Sequence, residues 1–132
     1  MNIVIFEEGF AVKTQLNSSP EFNNFVIKAN NNQPPIEILQ KYNPDLVILA
    51  SNSSTSSLQI CSEVRAISFV PILVLSVTNN PDIVEQTLDA GADKFLQKPV
   101  PVKVLAAHIK TLTRRAQAEK LAAIAQQTCL NY

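Results

Sequence analysis

PDLVILASNSSTSS, residues 44–57, sets an apolar run against a polar tail. Leu46 to Leu49 are aliphatic, Ala50 follows, and Ser51 to Ser57 are all Ser, Asn or Thr. A short apolar run bounded by turn formers predicts a buried strand that delivers a loop. In open α/β sheets the loop at the carboxyl end of a strand is where ligands and chemistry sit. Here that strand ends in a methyl group, which has no chemistry of its own.

Four more runs have the same character: NIVIF (Asn2–Phe6), FVIKA (Phe25–Ala29), ILVL (Ile72–Leu75) and KFL (Lys94–Leu96), beside DLVIL itself (Asp45–Leu49). The first, third and fourth are nearly continuous Val, Ile and Leu. That is the signature of strands covered on both faces, as in a parallel sheet. Helical stretches separate them. Gly9–Leu16 is short. Ile36–Tyr42 carries apolar residues at 36, 38, 39 and 42. Ser57–Ile67 spaces Leu58, Cys61, Val64 and Ile67 three apart. Pro81–Ala90 has Asn80 as a cap, Pro81 at its first position, Asp82 and Glu85 towards its N-terminal end and Gly91 as a stop. Pro101 to about Gln127 is the longest, with Val104, Leu105, Ile109 and Leu112 as its stripe. Strand and helix alternate five times, and right-handed crossovers then leave a doubly wound (βα)5 α/β sandwich. After Thr113 the chain turns Ala- and Gln-rich and poorly amphipathic, as in a helix running off the domain.

Composition narrows the function. The 132 residues fit one domain, and 46 % apolar with 17 % charged content is ordinary for a globular chain. Net charge is zero, so no bulk field marks a nucleic-acid binder. The charge is unevenly spread: residues 1–99 hold six basic and ten acidic residues, net −4, and residues 100–132 hold five and one, net +4. No run reaches the roughly 18 apolar residues of a membrane helix, and MNIVIFEEGF lacks a secretory n-region and cleavage site. A cytoplasmic location is the expectation. Cys61 and Cys129 form no C-x-x-C pair, and a cysteine nucleophile would need the single histidine, His108, as partner. Two free thiols, no metal site and no cofactor are expected.

In order and spacing, NIVIFEE, PDLVIL, PILVLS and LDAGADKFLQKPV resemble the receiver domain of two-component response regulators, over roughly residues 2 to 115. The resemblance implies a flavodoxin-like fold, a five-stranded parallel sheet in the order 2-1-3-4-5, with residues 116–132 as a helical extension. It implies that Glu7 and Glu8 stand where the family binds Mg²⁺ and that Ser76 stands where a hydroxyl meets the phosphoryl oxygens. It puts Lys98 in place of the family's site lysine and Phe95 in place of its aromatic switch residue, and it implies a cis peptide before Pro99. At the phospho-acceptor position it finds Ala50. The loop after Ala50 also departs from the family, with neither Pro nor Gly.

The expectation is therefore a pseudo-receiver, a non-enzymatic domain that signals by protein–protein contact without phosphorylation. It would pair with itself or another protein, or serve an output domain in a longer chain, with no direct nucleic-acid or membrane contact. The face implied is the helix at 81–90, the strand at 94–96 and the last helix, carrying Asp82, Glu85, Asp89 and Asp93 against Lys103, Lys110, Arg114, Arg115 and Lys120. The rival is a small-molecule or nucleotide binder with Ser51–Ser57 cradling an anion. Only Gly9 and Gly91 are glycines, and they make neither a P-loop nor a dinucleotide fingerprint.

Overall fold

The computed structural model describes residues 2–7, 26–29, 34–50, 54–78 and 80–130. The helix expected at Gly9–Leu16 lies outside them. The strands are β1 (Ile3–Glu7), β2 (Val26–Ala29), β3 (Leu46–Ala50), β4 (Ile72–Ser76) and β5 (Lys94–Gln97). The helices are α1 (Pro35–Tyr42), α2 (Ser54–Ile67), α3 (Pro81–Asp89) and α4 (Val102–Leu130). All strand pairs are parallel, and the order across the sheet is β2-β1-β3-β4-β5.

Alternation along the strands divides the core into two halves, one on each face. Ile3, Ile5, Leu46, Ile48, Ala50, Leu73 and Leu75 face α4, meeting Leu105, Ala106, Ile109 and Leu112. Val4, Phe6, Val47, Leu49, Ile72 and Val74 face the other way, onto Ile38 and Leu39 of α1 and Cys61 and Val64 of α2. Both faces of β1, β3 and β4 are thus covered, which is why these runs carry no polar alternation. β5 is an edge strand, and its ends, Lys94 and Gln97, are exposed.

Local chemistry sets the helix ends. Pro34 and Pro35 open α1, and Asn43 closes it in the left-handed region (φ 43°), donating its N–H to Leu39 O at 2.9 Å. Asn80 caps α3 by accepting from the Asp82 N–H at 3.0 Å. Gly91, at φ 121°, then turns the chain into β5. Three apolar residues assigned to buried stripes lie outward instead: Ile36 at 44 % exposure, Ile67 at 45 % and Val104 at 44 %. On α4 the buried stripe is Leu105, Ala106, Ile109, Leu112 and Thr113. Val104 is one residue, about 100° of helix, away from Leu105 and so misses the sheet.

Two contacts bind the amino edge of the sheet. Asn2 and Asp45 exchange bonds, Asn2 N–H to Asp45 Oδ2 and Asp45 N–H to Asn2 O, both at 2.8 Å. At the other side Arg65, near the end of α2, gives Nε and Nη2 to Gly91 O (3.1 and 2.7 Å), Nη1 to Ser68 O (3.2 Å) and Nη2 to Asp93 Oδ2 (2.9 Å). That carboxylate oxygen also accepts the buried N–H of Ile72 at 2.8 Å. One guanidinium fork therefore ties the end of α2 to the start of β4 and to the turn before β5. Among the described residues no helix is long and apolar enough to cross a membrane.

Candidate functional site at the carboxyl edge of the sheet

Parallel register brings the four strand ends into a row. Glu7 of β1 pairs with Ala50 of β3, Ala50 with Leu75 of β4, and Ser76 with Gln97 of β5, one residue before Lys98. Glu7, Ala50 and Ser76 are the last residues of their strands rather than the first of their loops. The backbone ladder continues one step beyond the apolar run, so the backbone at each strand end is held by sheet geometry.

Ala50 is fully buried and belongs to the α4-facing half of the core. Its methyl offers neither a donor nor an acceptor. Ser76 is nearly buried; its Oγ accepts from the Thr78 N–H at 3.3 Å and its carbonyl accepts from the Lys98 N–H at 2.8 Å. Lys98 is half-buried, and the Lys98–Pro99 peptide is cis. Phe95 is half-buried on the opposite face, against the half of the core that holds Val74 and Ala92. The side chain of Glu7, all of Glu8 and residues 51–53 lie outside the described residues. Among the described residues no group of three or more His, Cys, Asp and Glu is arranged to hold a metal ion.

The charged strips fall on either side of edge strand β5. Asp82, Glu85 and Asp89 are exposed along α3, and Lys103, Lys110, Arg114 and Arg115 are exposed along α4. Asp93 does not belong with the acidic strip. Its carboxylate is used inside the domain, by Arg65 and the Ile72 N–H at the amino edge. Arg65, Gly91 and Asp93 form a three-residue clamp that sequence patterning gives no sign of, because its members are separated by up to 28 positions.

Cys61 is a free, buried thiol. Burial pushes its pKa up from 9.0 to about 11, while nearby Arg65 pulls it down and Asp93 adds slightly to the rise. A nucleophilic cysteine needs the opposite shift. The side chain of Cys129 lies outside the described residues.

The fold and the parallel row of strand ends define a flavodoxin-like α/β domain. The family model for the response regulator receiver domain matches residues 3–110, and the chain belongs to that family. It is 30 % identical over 125 residues to response regulator MprA of Mycobacterium leprae, covering 92 % of this chain and 55 % of the relative. It is 28 % identical to transcriptional regulatory protein AfsQ1 of Streptomyces coelicolor, covering 89 % of this chain and 53 % of the relative. The chain thus spans about half the length of these curated relatives. Among solved structures, a response regulator from Thermotoga maritima superposes with a TM-score of 0.75 at 23 % identity, covering 86 % of this chain and 97 % of that one. A two-component response regulator from Clostridium difficile gives 0.72 at 23 % identity, with 87 % and 98 % covered.

Proposed function

We propose that this receiver domain is a pseudo-receiver, which keeps the fold and partner surface of two-component signalling and works without phosphorylation. The observation that carries the reading is Ala50. In the family, the end of the third strand supplies the carboxylate that attacks phosphorus. Here a buried methyl ends β3 between Glu7 and Leu75. A methyl has no lone pair to form a P–O bond.

The metal expected of the family fits poorly for the same reason. Mg²⁺ demands near-octahedral oxygen coordination, and Ala50 supplies no oxygen, leaving only Glu7 and Glu8 of the acidic set. No step in this reading passes through a metal. Glu7, Glu8, Ser76, Phe95 and Lys98 are in this view vestiges of the phospho-switch.

What remains is contact chemistry. The acidic strip of α3 (Asp82, Glu85, Asp89) and the basic strip of α4 (Lys103, Lys110, Arg114, Arg115) flank β5. Across a two-fold axis, opposite strips face each other and give complementary contacts. A homodimer or a protein partner through α3, β5 and α4 follows. The relatives' greater length supports an output domain in a longer chain, joined through the extension that begins near residue 116.

Incubation with acetyl phosphate and Mg²⁺, followed by intact mass measurement, tests the reading. The mass stays unchanged, and Ala50→Asp gains a phosphoryl group labile to hydroxylamine. The same labile gain in the unaltered chain overturns the proposal.

A further inference from the structure

ISFVPIL, residues 67–73, carries Phe69, which at 95 % is the most exposed large apolar side chain among the described residues. Its turn is fixed by the three bonds of Ser68. The Ser68 N–H donates to Val64 O at 2.9 Å, Ser68 O accepts from Arg65 Nη1 at 3.2 Å, and Ser68 Oγ accepts from the Val70 N–H at 3.1 Å. Arg65 also holds Gly91 O, and the Gly91 N–H donates to Leu88 O at 3.1 Å, so one guanidinium gathers the ends of α2 and α3. Ile67 and Leu88, both exposed, stand at those two ends. Two helices end here with their negative poles. Arg65 is paired with Asp93, and exposed Glu63 and Asp89 then stand against exposed Lys94. The amino edge is thus an apolar shelf with a negative rim.

The extension of α4 leaves the domain at this same edge. α4 starts at the carboxyl edge, and its stretch from Val102 to Thr113 rises about 18 Å, the length of a five-residue strand. Leu121 lies about 12 Å beyond Thr113. It follows Leu112 by about two and a half turns, and so points away from the side on which Leu112 meets the sheet. The chain's own sheet therefore does not cover Leu121, which is exposed together with Ala118, Ala122 and Ala125. Residues 114–130 hold three basic residues and one acidic.

We propose that the amino-edge shelf receives the α4 extension of a second copy of this chain, reciprocally across a two-fold axis. Leu121 of one copy covers Phe69 of the other, and the basic extension meets the negative rim. Symmetry makes the contact twice. A ring carried on a bonded turn needs little ordering when it is covered, which suits an aromatic side chain as the anchor of an interface. This pairing goes beyond the reading above, involves no phosphorylation and leaves the α3–β5–α4 face open to another protein.

Sedimentation velocity tests the pairing on the full chain, on Phe69→Gln, on Leu121→Gln, on the double variant and on Val104→Gln. Phe69 belongs to neither half of the core, so its replacement leaves the fold intact. The unaltered chain forms a dimer that weakens as salt rises. Phe69→Gln and Leu121→Gln each raise the dissociation constant at least about tenfold. The double variant is little weaker than either single one, because both remove the same contact. Val104→Gln, an exposed apolar site elsewhere on α4, stays within about twofold. An unaltered chain that is monomeric at every concentration overturns the proposal, as does a dimer that Phe69→Gln or Leu121→Gln leaves unchanged. A dimer lost in Val104→Gln alone overturns it too, and assigns the pairing to the α3–β5–α4 face. Phosphoryl labelling by acetyl phosphate, read by mass, decides the pseudo-receiver reading separately.

Discussion

Replacing Asp93 by alanine removes the centre of the amino-edge clamp, and its cost follows from the hydrogen bonds that the carboxylate makes. One carboxylate oxygen serves two donors, the Ile72 N–H at 2.8 Å and Arg65 Nη2 at 2.9 Å. Ile72 is fully buried, so Asp93→Ala leaves a buried amide without its acceptor. An orphaned buried N–H costs about 1–3 kcal/mol. The Asp93 side chain is 40 % exposed, so water enters the gap and holds this term near the lower end. The ion pair is partly screened and adds about 0.5 kcal/mol, while Arg65 keeps its bonds to Gly91 O and Ser68 O. The total is about 2 kcal/mol. At about 4 °C per kcal/mol for a domain of this size, Tm falls by about 8 °C. Asp93→Asn retains an oxygen for Ile72 and loses only the charge, so it costs less than about 1 kcal/mol. Thermal and urea unfolding followed by circular dichroism measures both. A melting point for Asp93→Ala within about 1 °C of the unaltered chain, or equal losses in the two variants, refutes the assignment of the cost to the Ile72 amide.

Gly91→Ala is expected to lose about 1–3 kcal/mol in urea unfolding, because φ is 121° there and an added Cβ meets Arg65 Cγ at 2.8 Å; an unchanged midpoint contradicts the clamp geometry. Cys61 makes stability depend on alkaline pH. Its folded pKa is raised to about 11 from 9.0, so the unfolded chain loses this proton first. The contribution is complete below pH 9.0 and is lost as pH rises to about 11. Urea midpoints measured across that window should fall more steeply for the unaltered chain than for Cys61→Ala; parallel slopes refute the assignment.

The sequence carried the sheet better than it carried the site. β1, β3 and β4 are legible because burial on both faces leaves uninterrupted aliphatic runs, and the one-residue offsets at their ends have a common cause. Hydrogen bonding continues through Glu7, Ala50 and Ser76, residues whose side chains give no strand signal. The Asn80 cap and the Gly91 turn were legible because each satisfies a local backbone need. Ile67 and Val104 misled because a three-residue spacing drifts across a 3.6-residue helix, and tertiary packing selects which of two neighbouring stripes is buried. Asp93 misled for a different reason. Counting charges along the chain cannot reveal that a carboxylate is engaged by an arginine 28 positions away.

The length of α4 has a mechanical consequence. Among the described residues the buried positions of α4 end at Thr113, and beyond it Leu121 and Ile124 are 68 % and 54 % exposed on a helix that continues to Leu130. At 1.5 Å per residue this stretch is an arm of about 25 Å. Its fulcrum is the packing of Leu105, Ile109 and Leu112 on the sheet. A tilt of about 10° at that fulcrum carries the tip sideways by about 4 Å, nearly the spacing of two adjacent strands. A displacement hardly visible in the core is thereby magnified into one that a molecule gripping the far end can register.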